Sequence, residues 1–262
     1  MNQAMWISKT GLQAQDAKLQ AIANNLANVN TVGYKRDRVV FEDLFYRTQL
    51  VPGAQVDQNN ASPVGVQMGG GTRLIGTEKV FTDGNLQTTG QPFDVAVTGK
   101  GFIQVMQANG DIGYTRAGQL SLSPERQLIT AQGLPLQPQI TLPPNATNIS
   151  IGENGMVTVM TPGSATPTEV GQITLATFAN PGGLLALGGN LYKETSASGP
   201  ANEGVPGTDA FGKIKQGALE GANVQVVEEM VEMIAAQRTY EMNAKVLSAA
   251  DNMLQQLSQA AR

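Results

Sequence analysis

The sequence predicts an α+β fold in which the N- and C-terminal helices pair as a coiled-coil-like domain, with an all-β domain inserted between them. Apolar residues repeat every seven positions at both ends of the chain, whereas short apolar runs bounded by Gly and Pro fill the middle. A long extended loop follows the first helix. The predicted domains are 1–33 with 219–262 (helical), 34–72 (connector and extended inter-subunit loop) and 73–218 (β-rich).

The C-terminal segment from Asn223 to Arg262 is predicted to form one long helix, because no Pro or Gly follows Gly221 and the apolar residues have heptad spacing. Its predicted seam residues are Val226, Met230, Met233, Tyr240, Leu247 and Leu254. Asn223 is expected to cap the helix start. A helix of about 35 residues is roughly 52 Å long, so it needs a partner of similar length. A plain core helix of a globular domain is the alternative interpretation.

The first thirty residues supply that partner, since they repeat the heptad spacing. The predicted seam residues here are Met5, Leu12, Leu19, Ile22 and Leu26. Gly11 costs about 1 kcal/mol relative to Ala inside a helix, which is tolerable where a neighbour must come close. Several asparagines are expected to end the helix in a frayed polar turn, and Gly33 is expected to adopt a left-handed conformation.

The segment from Leu50 to Gly71 is predicted to be a long connecting loop, since it is rich in Gly, Pro, Asn and Gln. A structureless stretch of about twenty residues indicates either an interaction loop or a disordered linker. Pro52 and Pro63 limit its freedom, so its ordering against another subunit would lose less entropy than ordering a Gly/Ser linker. The three glycines 69–71 are interpreted as a flexible point rather than a nucleotide-binding fingerprint.

The middle of the chain is predicted to consist of short strands and turns. Phe93, Val95 and Val97 alternate with smaller or polar residues, and "FIQVMQ" begins a second strand. Asn109-Gly110 and Asn154-Gly155 are hairpin signals. Further strands are expected at "QLSL", "QLITA", "NISI", "MVTVM" and "GQITLATF".

Composition argues against several classes of function. The chain has no Cys and no His, which removes thiol nucleophiles, the usual zinc ligands and the commonest general base. Its aspartates lie in or beside turns, so no catalytic, cofactor or metal site is predicted. A net charge of -4 without a basic run argues against nucleic-acid binding. No membrane span or Sec-type signal is predicted, so any export is expected to use another route.

Four stretches together carry a family resemblance: "NNLANVNTVGYKR" at 24–36, "FDVAVTGKGFIQV" at 93–105, "YTRAGQLSLSPERQLITAQG" at 114–133 and "LEGANVQVVEEMVEMIAAQRTYEMNAKVLSAADNML" at 219–254. They resemble the flagellar basal-body rod and hook proteins, and the chain length and "FEDLFYRTQLVPGAQ" are most similar to distal rod subunits. The residues of the first motif are Asn24, Asn25, Asn28, Thr31, Gly33, Tyr34 and Lys35. "SPERQLI" departs from the family, which often has an Asn-Gly or Asp-Gly turn there.

The resemblance implies a non-enzymatic axial subunit that is exported without a cleaved signal and polymerises helically into a rigid, hollow rod crossing the periplasm. The rod would transmit torque from motor to hook, and later axial proteins would be exported through it. Implied partners are copies of itself, the proximal rod proteins, the hook or hook-junction protein, the peptidoglycan-layer and outer-membrane ring proteins, and the export apparatus. The alternatives are a proximal rod or hook-type axial protein, or a secreted adhesin-like β domain on a coiled-coil stalk; a carboxylate-dependent glycosidase is a more distant one.

Overall fold

A computed structural model of the chain describes residues 3–52, 55–57, 60–61, 64–146, 148–162, 166–208 and 210–260. The helices are α1 (Gln3–Ala27) and α2 (Val226–Ala260), with a 3₁₀ turn at Pro181–Gly183. The strands are β1 (Asp37–Asp43), β2 (Arg47–Leu50), β3 (Gln55–Asp57), β4 (Asn60–Ala61), β5 (Val66–Met68), β6 (Thr72–Lys79), β7 (Leu86–Thr88), β8 (Val95–Thr98), β9 (Phe102–Met106), β10 (Ile112–Thr115), β11 (Leu120–Leu122), β12 (Leu128–Thr130), β13 (Leu136–Gln137), β14 (Asn148–Ile151), β15 (Met156–Met160), β16 (Thr168–Gln172), β17 (Leu175–Thr177), β18 (Leu185–Gly188), β19 (Leu191–Lys193), β20 (Asn202–Gly204), β21 (Lys213–Gln216) and β22 (Ala218–Glu220).

The predicted α+β class is confirmed, with a helix near each end and a mostly β middle. The chain forms two compact units. The helical unit contains the described residues within Met1–Leu26, Asp37–Glu78 and Val226–Arg262. The β unit contains those within Ala27–Arg36 and Lys79–Gln225.

The two helices of the helical unit contact each other in antiparallel orientation. Lys18 of α1 forms an ion pair with Glu232 of α2, with Nζ and Oε2 3.2 Å apart. A Cβ added to Gly11 would lie 3.0 Å from Asn243 Nδ2. Since Gly11 precedes Lys18 whereas Asn243 follows Glu232, the chain directions are opposite. Glycine at position 11 therefore lets a side chain of α2 approach α1 closely.

Helix α2 has 35 residues, as predicted, with Glu228 and Glu229 in its first turn, where carboxylates interact favourably with the helix dipole. The predicted capping role of Asn223 is wrong, because the helix begins three residues later at Val226. The Asn223 side chain instead accepts a hydrogen bond from Arg36 N at 2.8 Å and donates one to Val80 O at 2.7 Å. It satisfies backbone groups of two other segments, and so it is not available at a helix end.

The segment predicted to be a structureless loop contains strands. Strand β2 pairs antiparallel with β5, and β3 pairs antiparallel with β4, so the described residues within 47–68 form a two-stranded arm. The ladder gives backbone N–H and C=O groups partners that a solvated loop would lack. Composition concealed these strands because Gly, Pro and Asn outnumber the few valines. Pro63 lies outside the described residues.

The glycines after the arm allow close packing against α1. Gly71 has φ +107°, and a Cβ there would collide with Thr10 Oγ1. Its carbonyl accepts a hydrogen bond from Leu44 N at 2.9 Å, and Gly69 O accepts one from Gln3 Nε2 at 3.3 Å. The interpretation of these glycines as a flexible point is therefore replaced by one of close approach, for which a side chain has no room.

The β unit is built around a branched sheet with the strand order β18-β19-β10-β9-β17-β20, to which β13 adds on β9. A second sheet has the order β14-β15-β16, and the pairs β11-β12, β21-β8 and β22-β7 complete the unit. Its larger core cluster consists of aliphatic residues, namely Val95, Val97, Ile103, Leu120, Leu128, Leu136, Ile140, Leu142, Ile151, Val157, Val159, Ile173, Leu175 and Ile214. Ala96 is buried too, so β8 is covered on both faces rather than alternating between core and solvent.

A smaller aromatic cluster lies beside that core. Phe102 contacts Phe81 and Phe178 edge to face, with ring centroids 5.2 and 5.8 Å apart. Tyr114 and Tyr192 extend the same cluster through further edge-to-face contacts. Such pairs favour one relative orientation of the rings, which fixes β9, β10 and β19 against each other.

The two predicted hairpins are confirmed. Gly110 and Gly155, the second residues of the two Asn-Gly pairs, have φ of +85° and +76°. The first turn joins β9 to β10 and the second joins β14 to β15. The turn residues therefore identified the hairpins correctly from sequence.

The departure "SPERQLI" forms a hairpin turn in which Arg126 occupies the left-handed position. Arg126 N donates to Ser123 O at 2.8 Å, and Ser123 N donates to Gln127 O at 2.9 Å. Arg126 has φ +62°, a conformation that usually requires Gly or Asn. The hairpin β11-β12 thus keeps the turn geometry of an Asn-Gly or Asp-Gly sequence while carrying backbone strain at Arg126.

We expect Arg126→Gly to be more stable than Arg126→Ala by roughly 1 kcal/mol, because only glycine relieves the positive φ. Both variants lose the hydrogen bond from the guanidinium to Pro143 O, so their difference isolates the backbone term. Denaturant unfolding, with hydrogen exchange of the 120–130 amides as a local readout, measures this difference. Equal stability of the two variants would show that the turn is not strained.

Candidate anchoring and assembly sites

The central feature of the β unit is a buried carboxylate that binds two cations. Glu220 and Lys35 are both 0% exposed, and Lys35 Nζ lies 2.6 Å from Glu220 Oε1. Arg116 Nη1 lies 3.2 Å from the other oxygen, Oε2. Lys35 also donates to Thr82 O at 2.6 Å, and Gly84 N donates to Glu220 Oε1 at 2.9 Å. The carboxylate is therefore fully hydrogen-bonded, as a buried charge must be.

Gly33 places Lys35 next to this carboxylate. Its φ is +71°, as predicted, and a Cβ would lie 2.6 Å from Ala117 N, so no other residue fits without displacing backbone. Gly33 N donates to Glu220 O at 2.8 Å, and Asn190 Nδ2 donates to Val32 O at 2.9 Å. Residues 32–35 are thus fastened to the β unit by backbone and side-chain bonds together.

Arg116 connects the carboxylate to the strand end that follows β8. Its Nη2 donates to Gly99 O at 2.6 Å and its guanidinium lies 5.4 Å from the centre of the Phe102 ring. Asp83, half exposed, supplies a second carboxylate 3.6 Å from Nη1. Two cations thus face two carboxylates, so the cluster is neutral despite its burial.

Burial lowers the pKa of Lys35 below its ordinary value of 10.5, and the adjacent Glu220 charge opposes that shift. Burial thus disfavours the Lys35 ammonium, whereas its ion pair with Glu220 and its hydrogen bond to Thr82 O favour it. Such a site favours one arrangement of the chain, since separating the partners leaves an uncompensated charge in the core.

The helical unit has an anchor of its own at the end of α1. Asn25 is buried, accepts a hydrogen bond from Asp37 N at 2.8 Å and donates to Asp37 O at 3.0 Å. Its Nδ2 also lies 3.3 Å from a carboxylate oxygen of Glu229, near the start of α2. Asn24 donates to the Asp37 carboxylate at 3.1 Å. The frayed polar end expected here is therefore wrong, because these amides bind neighbouring segments.

The other motif residues have local roles. Thr31 donates to the Asn28 side chain at 3.1 Å in the turn that follows α1. Tyr34 is buried, and the Lys79 ammonium lies 4.7 Å from the centre of its ring. The motif therefore forms a turn, a glycine contact and buried side chains within one short stretch.

The predicted seam residues differ in exposure. Ile22 is buried, whereas Met5, Leu12, Leu19, Leu26, Met233 and Leu247 are half-buried and Val226, Met230, Tyr240 and Leu254 are exposed. The buried stripe of α2 follows Glu229, Ala236 and Ala250 instead. Small residues on this stripe let α1 lie close, which the heptad of large side chains did not indicate.

A second apolar surface covers the opposite side of α2. Val227, Met230, Val231 and Ile234 are 76%, 50%, 62% and 49% exposed. At about 3.6 residues per turn they lie on the side away from Glu229 and Ala236. Monomeric soluble proteins rarely leave such contiguous apolar rows uncovered. This exposed row therefore indicates a protein whose helices contact other chains.

No group of carboxylates suited to a metal ion occurs among the described residues. Within the same residues, no helix is both long and apolar enough to cross a membrane. Two of the aspartates lie in turns: Asp94 accepts from Thr89 Oγ1 at 2.6 Å, and Asp111 N donates to Asn109 Oδ1 at 3.1 Å while its carboxylate pairs with Lys193.

Comparison with protein-family models identifies the class. Residues 5–35 match the flagella basal body rod protein model, 96–159 match the flagellar hook protein FlgE/F/G D1 domain, and 215–260 match the flagellar basal body rod FlgEFG protein C-terminal model. These ranges include Lys35, Arg116 and Glu220 of the β unit and Asn25 and Glu229 of the helical unit. The three matches together identify the class of the flagellar rod and hook proteins.

Individual relatives narrow this class. The chain is 46% identical to flagellar basal-body rod protein FlgG of Buchnera aphidicola subsp. Schizaphis graminum over 98% of each chain. It is 44% identical to FlgG of Caulobacter vibrioides over 98% of each chain, and 35% identical to FlgF of that organism over 94% of this chain and 93% of the relative. The chain belongs to the flagellar basal-body rod protein family. Its function is that of a structural subunit of the basal-body rod.

Sequence reasoning missed Glu220 and Arg116 as anchoring residues. Both lie in the stretches that carry the family resemblance, but a lone charge in a strand usually faces solvent. The only signal was that Glu220 follows two apolar residues, which does not reveal a partner 185 positions away in the sequence. Asn223 was predicted to cap a helix, whereas its side chain binds the backbone of Arg36 and Val80.

We expect Glu220→Gln to destabilise the β unit by about 3–5 kcal/mol, because it leaves Lys35 and Arg116 buried without their shared carboxylate. Denaturant unfolding measures the loss. Glu153→Gln is the matched control, since it breaks the exposed Lys213–Glu153 pair of the same unit and is expected to leave stability unchanged. Similar losses of stability in the two variants would mean that the buried cluster contributes no more than an exposed ion pair.

The loss in free energy of unfolding caused by Glu220→Gln should also become smaller as the pH rises toward 10.5. Folded Lys35 has a lower pKa than unfolded Lys35, so between those values the unfolded state binds more protons and stability rises with pH. Removing Glu220 lowers the folded pKa of Lys35 further and widens this window. A deficit that stays constant from pH 7 to 10 would contradict the assignment.

Proposed function

We propose that the chain polymerises with copies of itself into the distal part of the rod, as a rigid, hollow, helical drive shaft that transmits torque from motor to hook. Later axial proteins would be exported through its channel. The observation that carries this proposal is the apolar row of α2, defined by Val227, Met230, Val231 and Ile234, which faces away from α1. A repeated contact between identical subunits would cover the row in every copy.

Helices α1 and α2 are proposed to act as one coiled-coil-like axial domain within the predicted ranges 1–33 and 219–262, of which residues 27–33 and 219–225 belong to the β unit. The antiparallel contacts Lys18–Glu232 and Gly11–Asn243 support the pairing. The exposed seam residues, of which Tyr240 is one, would then be covered by helices of neighbouring subunits rather than by α1.

The proposed partners follow from a position within the rod. They are further copies of the chain along the helix, proximal rod proteins below, the hook or a hook-junction protein above, and the ring proteins of the peptidoglycan layer and outer membrane around it. The rod would cross the periplasm, and its subunits would arrive through the flagellar export apparatus without a cleaved signal peptide. No role as an enzyme is proposed, since the relatives are structural rod proteins.

A proximal rod or hook-type position is the alternative, and similarity to FlgF keeps it as a second candidate. The identity is lower, 35% against 46% and 44% for the FlgG relatives above. The adhesin-like stalk has no support from any of these relatives.

The arm, residues 47–68, is proposed to lock axially adjacent subunits and so to keep the rod straight. It is two-stranded, and Val51, Val64 and Val66 along it are largely exposed. A paired arm loses less entropy on docking than a free loop does. An exposed two-stranded arm is also a natural place for a neighbouring chain to add contacts.

To test polymerisation, we expect Val231→Asp combined with Ile234→Asp to abolish rod formation, because each interface would bury unpaired carboxylates at a cost of several kcal/mol. Sedimentation and electron microscopy of purified protein, with motility of a complemented strain, provide the measurements. Both side chains point to solvent in the monomer, so folding should be unaffected.

The matched control is Ser248→Asp with Asn252→Asp, which introduces the same number of carboxylates and the same change in net charge at exposed polar positions about four turns further along α2. If the Val231→Asp, Ile234→Asp variant forms normal rods, the apolar row of α2 is not part of a contact between subunits. Loss of rods in both variants would instead indicate a general effect of charge.

To test the arm, residues 53–63 are replaced by Asn-Gly, which preserves the β2-β5 ladder and the glycines beside α1. Curved or bendable filaments are expected, since contacts between outer parts of successive subunits would be lost. A variant with the order of residues 53–63 shuffled separates sequence from length. Rods as straight and stiff as those of the parent protein would remove any mechanical role of the arm.

A further inference from the structure

An exposed aromatic side chain marks one edge of the helical unit. Phe45 lies between β1 and β2 and is 98% exposed, the highest fraction among the large hydrophobic residues described. Its backbone is held in place, because Leu44 N donates to Gly71 O at 2.9 Å and a Cβ on Gly70 would lie 2.9 Å from Phe45 O. A Phe displayed on a fixed backbone is pre-organised for insertion into a partner at little entropic cost.

The same unit contains an apolar socket of suitable size. Met5, Trp6 and Lys9 of α1 and Leu247 of α2 line a cavity of about 250 Å³, and nearly all of its lining atoms are apolar. Organic ligands usually occupy pockets of roughly 300–1,000 Å³ with several polar groups. This cavity is smaller and lacks them, so a single apolar side chain is the better occupant.

The segment that carries Phe45 packs against one face of α1, whereas the socket lies on another face of the same helix. Gln3 and Thr10 face the segment that supports Phe45, since they hydrogen-bond to Gly69 and Thr72. Met5 and Lys9, one turn apart, belong to another face of the helix. Phe45 is solvent-exposed and thus does not fill the socket of its own chain.

The charges beside the two features are complementary. Asp43 precedes Phe45 by two residues and is exposed, whereas Lys9 lies at the socket with its ammonium 5.4 Å from the centre of the Trp6 ring. Neither Asp43 nor Lys9 forms an ion pair with another described residue. Glu42, next to Asp43, is already paired with Arg73. Insertion of Phe45 would bring one unpaired carboxylate toward one unpaired ammonium.

We infer that Phe45 of one subunit inserts into the Met5, Trp6, Lys9 and Leu247 socket of a second copy of this chain, with Asp43 facing Lys9. This inference rests on the proposed polymerisation. Because the inserting side chain and the socket are different surfaces of each copy, the contact is heterologous, and repeating it produces an open helical assembly rather than a closed dimer.

The direct test places p-benzoyl-phenylalanine at position 45, which keeps an aromatic group there, and irradiates assembled rods. Equal amounts of isotopically light and heavy subunits distinguish contacts between copies from contacts within one. The expected product joins the position 45 peptide to peptide 1–9 or 246–262 of another copy. The same probe at Leu187, an exposed residue of the β unit, controls for non-specific reaction.

Two sets of variants measure the strength of the contact. Phe45→Ala should raise the protein concentration needed for assembly at least about tenfold, as truncation of an aromatic interface residue does. Tyr46, the adjacent aromatic residue, packs beside Gly69. Tyr46→Ala should therefore change the protein concentration needed for assembly less than about twofold, as a contact that contributes little to binding does. Asp43→Lys and Lys9→Asp should each weaken assembly, and the double variant should restore it.

The outcomes separate this inference from the broader proposal. Rods of the unmodified protein that cross-link from position 45 to other surfaces, or that form equally well with Phe45→Ala, would overturn the insertion but leave polymerisation intact. Failure of the unmodified protein to form rods at any concentration would overturn both. Cross-links to the socket together with charge rescue would establish the contact.

Discussion

A buried carboxylate needs cations and hydrogen-bond donors around it, and in this protein Glu220 imposes that requirement on distant parts of the chain. Its oxygens bind Lys35 from the segment after α1 and Arg116 from the strand region, with Gly84 N as a further donor. A buried pair of this kind contributes modestly to net stability but strongly disfavours any arrangement that separates its members. The position of residues 32–36 in the β unit follows from this electrostatic constraint.

The glycine and asparagines near this cluster make the constraint geometrically possible. Gly33 provides a positive φ and has no Cβ to collide with Ala117, so Lys35 can reach the carboxylate. Asn25 satisfies the backbone of Asp37 in the helical unit, and Asn223 satisfies that of Arg36 and Val80 in the β unit. Amides suit such places because one side chain both donates and accepts.

The two units differ in how completely they bury their apolar surface. The β unit encloses an aliphatic core and an aromatic cluster, so its side chains are largely satisfied within one chain. The helical unit leaves the α2 row, Trp6 and Phe45 exposed. In the proposed rod, the β unit would need no neighbouring subunit to complete its core, whereas the uncovered helical surface would be free to contact other subunits.

Local patterns in the sequence determined the parts of this protein that depend on near neighbours. Heptad spacing gave both helices, Asn-Gly pairs gave two hairpins, and the position of Gly33 predicted its positive φ. Tertiary structure alone decided that Glu220 is buried against Lys35 and Arg116, that α2 buries Ala236 and Ala250 rather than its larger side chains, and that β2 pairs with β5. Local signals reflect contacts a few residues apart, whereas the partner of a charge, the packed face of a two-sided helix and the pairing of weak strands depend on residues brought together only by folding.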